Sequence, residues 1–211
     1  MKLYTYFQSS ASYRVRIALG IKGLDAEMAY INLVKGEQQK HVYAAVNPEM
    51  VVPALIDKEY TLTQSLAIME YLEEAYPNPP ILPSDIFARS YVRGLSHILA
   101  SDTAPLCNLK VRKYIKHHGQ TDEIIAEWIR HWINEGLGAF ERVLQHSGRT
   151  GNFCYGNTPT IADCCLVPQV FNAERWKCDM SPYPLIQAIA KHCETHPAFI
   201  AAHPLKQKDA V

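Results

Sequence analysis

The sequence predicts an α/β domain built on a mixed four-stranded sheet, followed by an all-helical bundle domain. Three observations carry that expectation. Strand-like and helix-like segments alternate over residues 1–76. Four prolines then crowd into Pro77-Asn78-Pro79-Pro80-Ile81-Leu82-Pro83, which can continue neither a helix nor a central strand. Beyond that point no convincing strand pattern occurs. The expected division is therefore a first domain at 1–76, a proline-rich linker at 77–83 and a helical domain at 84–211.

The elements follow in order. Leu3 to Phe7 is β-branched and aromatic enough for a short strand. Ser12 to Lys22 reads as a helix with Val15, Ala18 and Leu19 on one face and Gly23 as its stop. Glu27 to Leu33 reads as a second strand, and Glu37 to Val46 as a helix ended by Asn47-Pro48. Val51 to Ile56 and Tyr60 to Leu62 are short strands around Asp57-Lys58, close enough to form a hairpin. Gln64 to Tyr76 is strongly periodic, with Leu66, Ile68, Met69 and Leu72 facing inward. In the second half, Ser84 to about His118 reads as helical with a bend near Pro105. Thr121 to His146, Thr160 to Ala173 and Tyr183 to Thr195 read as further helices.

Composition removes several function classes. The 21 Lys+Arg balance 21 Asp+Glu, whereas a general nucleic-acid binder carries a basic excess. No window holds 18 uninterrupted apolar residues, and the N-terminal residues lack the charged stretch and apolar run of a secretion signal. The six cysteines contain no CxxC pair. The nine histidines show no HExxH or paired ligand spacing, so no metal is expected. These features point to a cytoplasmic protein with reduced thiols and no membrane or nucleic-acid partner.

Read locally, the polar residues have plain structural accounts. Ser9, Ser10 and Ser12 stand where a strand turns into a helix and suit helix capping. Pro53 suits an edge strand, and Gln64-Ser65 suits a helix start. Thr160-Ile161-Ala162-Asp163 has the spacing of a capping box. Lys110, Arg112, Lys113, Lys116, His117 and His118 read as a solvated basic helix face.

Four longer runs add a second reading. They are Ser9-Ser10-Ala11-Ser12-Tyr13-Arg14-Val15-Arg16-Ile17-Ala18-Leu19; Asn47-Pro48 with Val52-Pro53-Ala54-Leu55; Gln64-Ser65-Leu66-Ala67-Ile68; and Thr160-Ile161-Ala162-Asp163 with Leu166-Val167-Pro168-Gln169-Val170, Asn172-Ala173-Glu174-Arg175 and Pro182-Tyr183-Pro184. Together they resemble the zeta class of the cytosolic glutathione transferases, over nearly the whole chain.

The resemblance implies a thioredoxin-like first domain that binds glutathione and a helical domain that contributes the substrate site. It implies a glutathione-dependent cis–trans isomerase that converts maleylacetoacetate or maleylpyruvate to the fumaryl product in the breakdown of tyrosine and other aromatic compounds. The alternatives are a related transferase acting on another small electrophile, such as a halogenated acid, and a non-catalytic glutathione-binding protein. By resemblance, the Ser9 hydroxyl donates to the glutathione thiolate and Ser10 is a second polar contact. Val52 pairs with the cysteinyl backbone, Gln64 and Ser65 hold the γ-glutamyl carboxylate, and Gln39 lies near the glycyl end. Arg175 grips a carboxylate of a dicarboxylate substrate. A homodimer is implied, with Asp102 reaching the partner's glutathione amine. The chain departs from the pattern at three substrate-site positions: Gln8 replaces a usual arginine, Ala11 a cysteine, and Ala104 a glutamine or histidine. Asn108 is retained there.

Overall fold

A computed structural model describes residues 1–210. They form two compact units. One holds residues 1–81 together with the stretch from Glu194 onward; the other holds Leu82–Cys193.

In the first unit the order is β1 (Lys2–Thr5), α1 (Ser10–Ile21), β2 (Glu27–Tyr30), α2 (His41–Ala44), β3 (Ala54–Asp57), β4 (Tyr60–Thr63) and α3 (Ser65–Ala75). The sheet is mixed, with strand order β2-β1-β3-β4. β1 pairs with β2 in parallel and with β3 antiparallel, and β3–β4 is the expected hairpin. Leu3 and Leu55 are opposite each other in the β1–β3 register and wholly buried. Val15, Ile17 and Leu19 of α1 and Ile68, Met69 and Leu72 of α3 are buried likewise.

Two expectations change here. The helix read over Glu37 to Val46 is a 3₁₀ turn at Glu37–Gln39 and one short α-helical turn, separated by extended Lys40 at φ −70°, ψ 142°. The second difference is a helix not expected, α9 (Pro197–Ala202). It packs on α1 so closely that a Cβ at Gly20 would meet the Ala198 Cβ at 3.0 Å. The C-terminal stretch is also polar-bonded to this unit: Arg16 Nε donates to the Ala202 carbonyl at 3.1 Å, and the Phe7 N–H donates to Asp209 Oδ2 at 2.9 Å.

The second unit is helical among its described residues: α4 (Ile86–His97), α5 (Leu109–His117), α6 (Asp122–Ser147), α7 (Ile161–Arg175) and α8 (Pro184–Cys193). The long helix expected from Ser84 to about His118 is interrupted. α4 runs into a π-helical turn at Ile98–Thr103, and a non-helical turn through Pro105 precedes α5. Thr103 Oγ1 donates to the Ile98 carbonyl at 2.8 Å inside that turn. Gly136 of α6 lies directly beneath, because a Cβ there would collide with Thr103 Oγ1. The capping box at Thr160 forms as its spacing predicts. Asp163, wholly buried, accepts from the Thr160 N–H at 2.7 Å and from the Cys154 N–H at 2.8 Å.

Candidate functional site

The first unit brings together two helix starts. Ser9 is the N-cap of α1; its backbone is extended and its Oγ accepts from the Ser12 N–H at 3.2 Å. A cap of this kind leaves the hydroxyl hydrogen available to donate. The turn that presents Ser9 is held from inside. Buried Arg16 donates to Thr5 Oγ1 at 2.9 Å and to the carbonyls of Tyr6 and Phe7 at 3.3 and 3.2 Å. Burial lowers its pKa to about 10, which leaves it cationic at neutral pH. Gln8, Ser9, Ser10 and Ala11 are half-buried around this turn.

The second helix start belongs to α3. Ser65 is its first residue, buried, and its Oγ accepts from Arg14 Nη1 of α1 at 3.1 Å. Gln64 precedes it at φ 65°, ψ 115°, a conformation that costs a non-glycine residue on the order of 1–3 kcal/mol. Its side chain is anchored: Gln64 Nε2 donates to Glu49 Oε2 at 2.6 Å, and Thr63 Oγ1 donates to Glu49 Oε1 at 3.0 Å.

Between these elements, pairing of β3 with β1 ends at Ala54, and the chain before it turns through a cis Val52–Pro53 bond. The Val51 carbonyl is fixed by the Tyr43 hydroxyl at 2.6 Å and Asn47 Nδ2 at 2.7 Å. Burial pushes the Tyr43 hydroxyl up to about 12. The backbone leading into Val52 is thus held by two side-chain hydrogen bonds just beyond the end of the sheet pairing. Gln39 ends the 3₁₀ turn and is exposed, while its neighbour Gln38 is buried.

The chemistry of this donor set suits a glutathione-like ligand. Helix starts favour anions, because their first N–H groups lack intrahelical partners and carry partial positive charge. Two such starts suit a thiolate and a carboxylate, and a strand end suits a peptide backbone. The residues present fit a thiol-bearing peptide with free carboxylates.

In the second unit, Asp102 is exposed on the π-helical turn and Ala104 follows its end. Asn108 caps α5, accepting from the Lys110 N–H at 3.1 Å. Arg175, the last residue of α7, is exposed, and its Cζ lies 6.0 Å from the Trp176 ring centroid. The basic stretch on α5 is solvated except at Arg112, which is half-buried with its Cζ 5.6 Å from the same ring.

Sequence reasoning missed Arg14, Arg16, Glu49 and Asp209 as organisers of these turns. A signal existed for the first two: both arginines interrupt an otherwise apolar run in a helix buried on most sides.

Comparison with known proteins agrees with this geometry. The family model described as "Glutathione S-transferase, N-terminal domain" matches residues 1–74, and "Glutathione S-transferase, C-terminal domain" matches 108–203. A curated relative from Pseudomonas aeruginosa, named maleylacetoacetate isomerase, is 43% identical over 99% of this chain and 98% of its own length. The solved holo structure of a maleyl pyruvate isomerase, described as a bacterial glutathione S-transferase of the zeta class, superposes with a TM-score of 0.98 at 42% identity, covering both chains fully. A maleylacetoacetate isomerase from Methylobacterium extorquens AM1, solved with malonate and glutathione bound, superposes with a TM-score of 0.97 at 37% identity, again covering both chains fully.

Proposed function

Since this chain belongs to the glutathione S-transferase family, in its zeta class, we propose that it is a glutathione-dependent cis–trans isomerase of a maleyl diketo acid, maleylacetoacetate or maleylpyruvate. The observation that carries the reading is the Ser9 cap at the start of α1, in a chain more than 40% identical over its length to an isomerase.

When bound, glutathione supplies a thiolate that adds reversibly to the conjugated cis double bond, permits rotation while that bond is single, and leaves as the trans product forms. The protein's own residues do the rest. Ser9 Oγ–H donates to the sulfur, and the N–H groups of the first turn of α1 favour its anionic form. Ser10 adds a polar contact. Val52 aligns the cysteinyl backbone, and Gln64 with Ser65 holds the γ-glutamyl carboxylate at the start of α3. Gln39 serves the glycyl end. Arg175 binds a substrate carboxylate through its planar fork. Gln8, Ala11, Ala104 and Asn108 shape the acceptor site.

In this reading residues 1–76 are the glutathione-binding domain and the helices within 84–193 the substrate domain, whereas the stretch from Glu194 belongs with the first unit. The protein works in the cytoplasm as a two-fold homodimer, with Asp102 reaching the partner's glutathione amine. Light scattering of the purified protein tests the dimer. Among the described residues no helix is long and apolar enough to cross a membrane.

The deciding experiment mixes the protein with glutathione and each maleyl acid, and follows trans product and free glutathione together. Trans product with glutathione unconsumed is expected. Glutathione consumed in step with substrate would make the protein a transferase. Demonstrated glutathione binding without turnover of either acid would remove the isomerase reading.

A further inference from the structure

Arg112 differs from every other cation of α5. Lys110, Lys113 and Lys116 are exposed, whereas Arg112 is half-buried and its Nε is wholly buried without a hydrogen-bond partner among the described residues. A guanidinium nitrogen in that position costs free energy unless something accepts from it. The titratable groups bearing on Arg112 are the Arg175 guanidinium and the Cys107 thiol. Cys107 is pushed up to about 11, chiefly by burial, so it is a neutral thiol at pH 7 and offers no counter-charge. The Arg175 cation and burial both hold Arg112 below the ordinary arginine range, burial more strongly.

Two guanidiniums from different helices therefore converge on one indole. Arg112 of α5 and Arg175 at the end of α7 lie 5.6 and 6.0 Å from the Trp176 centroid. The ring's π face offsets part of their mutual repulsion. It also keeps both forks against a fixed plane. Stacking does not supply an acceptor to the buried Nε of Arg112.

We infer that Arg112 is a specificity-determining residue of the acceptor site, holding the second carboxylate of a dianionic substrate while Arg175 holds the first, with Trp176 setting the separation of the two forks. The inference rests on the isomerase reading for Arg175 and adds the residue that answers the substrate's second negative charge. A diacid held by Arg175 at one end brings an acceptor to Arg112 with the other; a monoacid leaves Arg112 unanswered. Selection for two negative charges is then built within the helical unit itself.

The test is calorimetric binding of maleate and of monomethyl maleate, with glutathione absent, to the wild-type protein and to Arg112→Met and Arg112→Lys. Wild type should prefer the diacid by at least about tenfold, the worth of one charge-assisted pair. Arg112→Met should lose that preference while binding the monoester almost unchanged. Arg112→Lys should fall between, because it keeps the charge and loses the fork. A role in stacking alone would lower the melting temperature of Arg112→Met and leave its diacid-to-monoester ratio within twofold of wild type; that result overturns the inference. Absence of any diacid preference in wild type overturns it as well. Turnover is not part of this readout. Maleate selection without isomerisation would support Arg112 and remove the isomerase reading, and isomerisation with an unchanged ratio in Arg112→Met would do the reverse.

Discussion

Arg14 Nη1 donates to Ser65 Oγ across 3.1 Å, joining α1 to the first residue of α3 over 51 positions of sequence. The two motifs that sequence reading treated separately are thereby one assembly. Ser65→Ala removes this acceptor from a buried guanidinium nitrogen, which costs about 1–3 kcal/mol. The expected result is a lower urea midpoint together with weaker glutathione binding. Ser65→Thr, which keeps the hydroxyl, should recover most of both. Equal loss in the two variants would show that the bond does not matter.

Gln64 separates stability from binding. Its positive φ costs on the order of 1–3 kcal/mol, and glycine relieves that cost while adding unfolded-state entropy of about 0.5–1 kcal/mol. Gln64→Gly should therefore change stability by less than about 1 kcal/mol. It loses the amide anchored on Glu49, so glutathione affinity should fall about tenfold, as expected for one lost hydrogen bond to a charged group. A calorimetric titration beside a denaturation curve checks both. Unchanged affinity would remove Gln64 from the site.

How much of this was legible depends on which residues do the work. The succession of strands along the chain and helices α1 and α3 of the first unit follow from strand-like composition and period-3.6 patterns, and the Thr160 box follows from a four-residue spacing. The break between α4 and α5 did not: helix propensity is strong on both sides of Pro105, and the π turn depends on Gly136 sitting beneath Thr103, a contact 33 residues distant in sequence. α9 was missed because its run of six residues is too short to show periodicity and is stabilised by packing on Gly20. Ser9 and Ser65 were readable as motif residues. Arg16, Glu49 and Asp209, which hold the turns carrying them, act through carbonyls, an exposed glutamine and a backbone N–H that only the fold brings near.

Gly136 fixes the π-helical turn that carries Asp102. A methyl group at this position collides with Thr103 Oγ1, whose own bond to the Ile98 carbonyl prevents easy movement. Gly136→Ala should cost about 1–3 kcal/mol through overpacking. Adding Thr103→Ala removes the obstructing hydroxyl and should return part of that loss. A double-mutant cycle by urea unfolding measures the coupling; strictly additive effects would mean that the two sites do not interact.

Acid stability should depend on Asp57. Tyr71 and Tyr76 each donate to Asp57 Oδ2 at 2.7 Å, and these bonds hold the carboxyl below its usual range. A depressed carboxyl stabilises the fold above its unfolded pKa of about 3.9, and that contribution disappears as pH falls through the folded value. The same pairing pushes Tyr71 up to about 12. Its share is therefore full below the unfolded tyrosine value of about 10 and is lost as pH rises toward 12. The double variant Tyr71→Phe, Tyr76→Phe should flatten both limbs of a stability-versus-pH curve. An acid limb identical to wild type would assign that loss to other carboxylates.

Ser9 has two roles that one substitution can divide. As N-cap it accepts the Ser12 N–H, and Ser9→Ala should cost about 1 kcal/mol of stability for that reason alone. As proposed thiolate donor it should also lower turnover by about 10²–10³, the usual effect of removing one preorganised donor to developing negative charge. Ser9→Asp distinguishes them, because aspartate caps a helix well but offers no hydrogen and repels a thiolate. The expected order of stability is wild type close to Ser9→Asp and above Ser9→Ala, whereas the order of turnover places Ser9→Asp lowest. The ultraviolet absorbance of bound thiolate, followed against pH, should move to higher pH in both variants. If turnover instead tracks stability across the three proteins, Ser9 is a cap and nothing more.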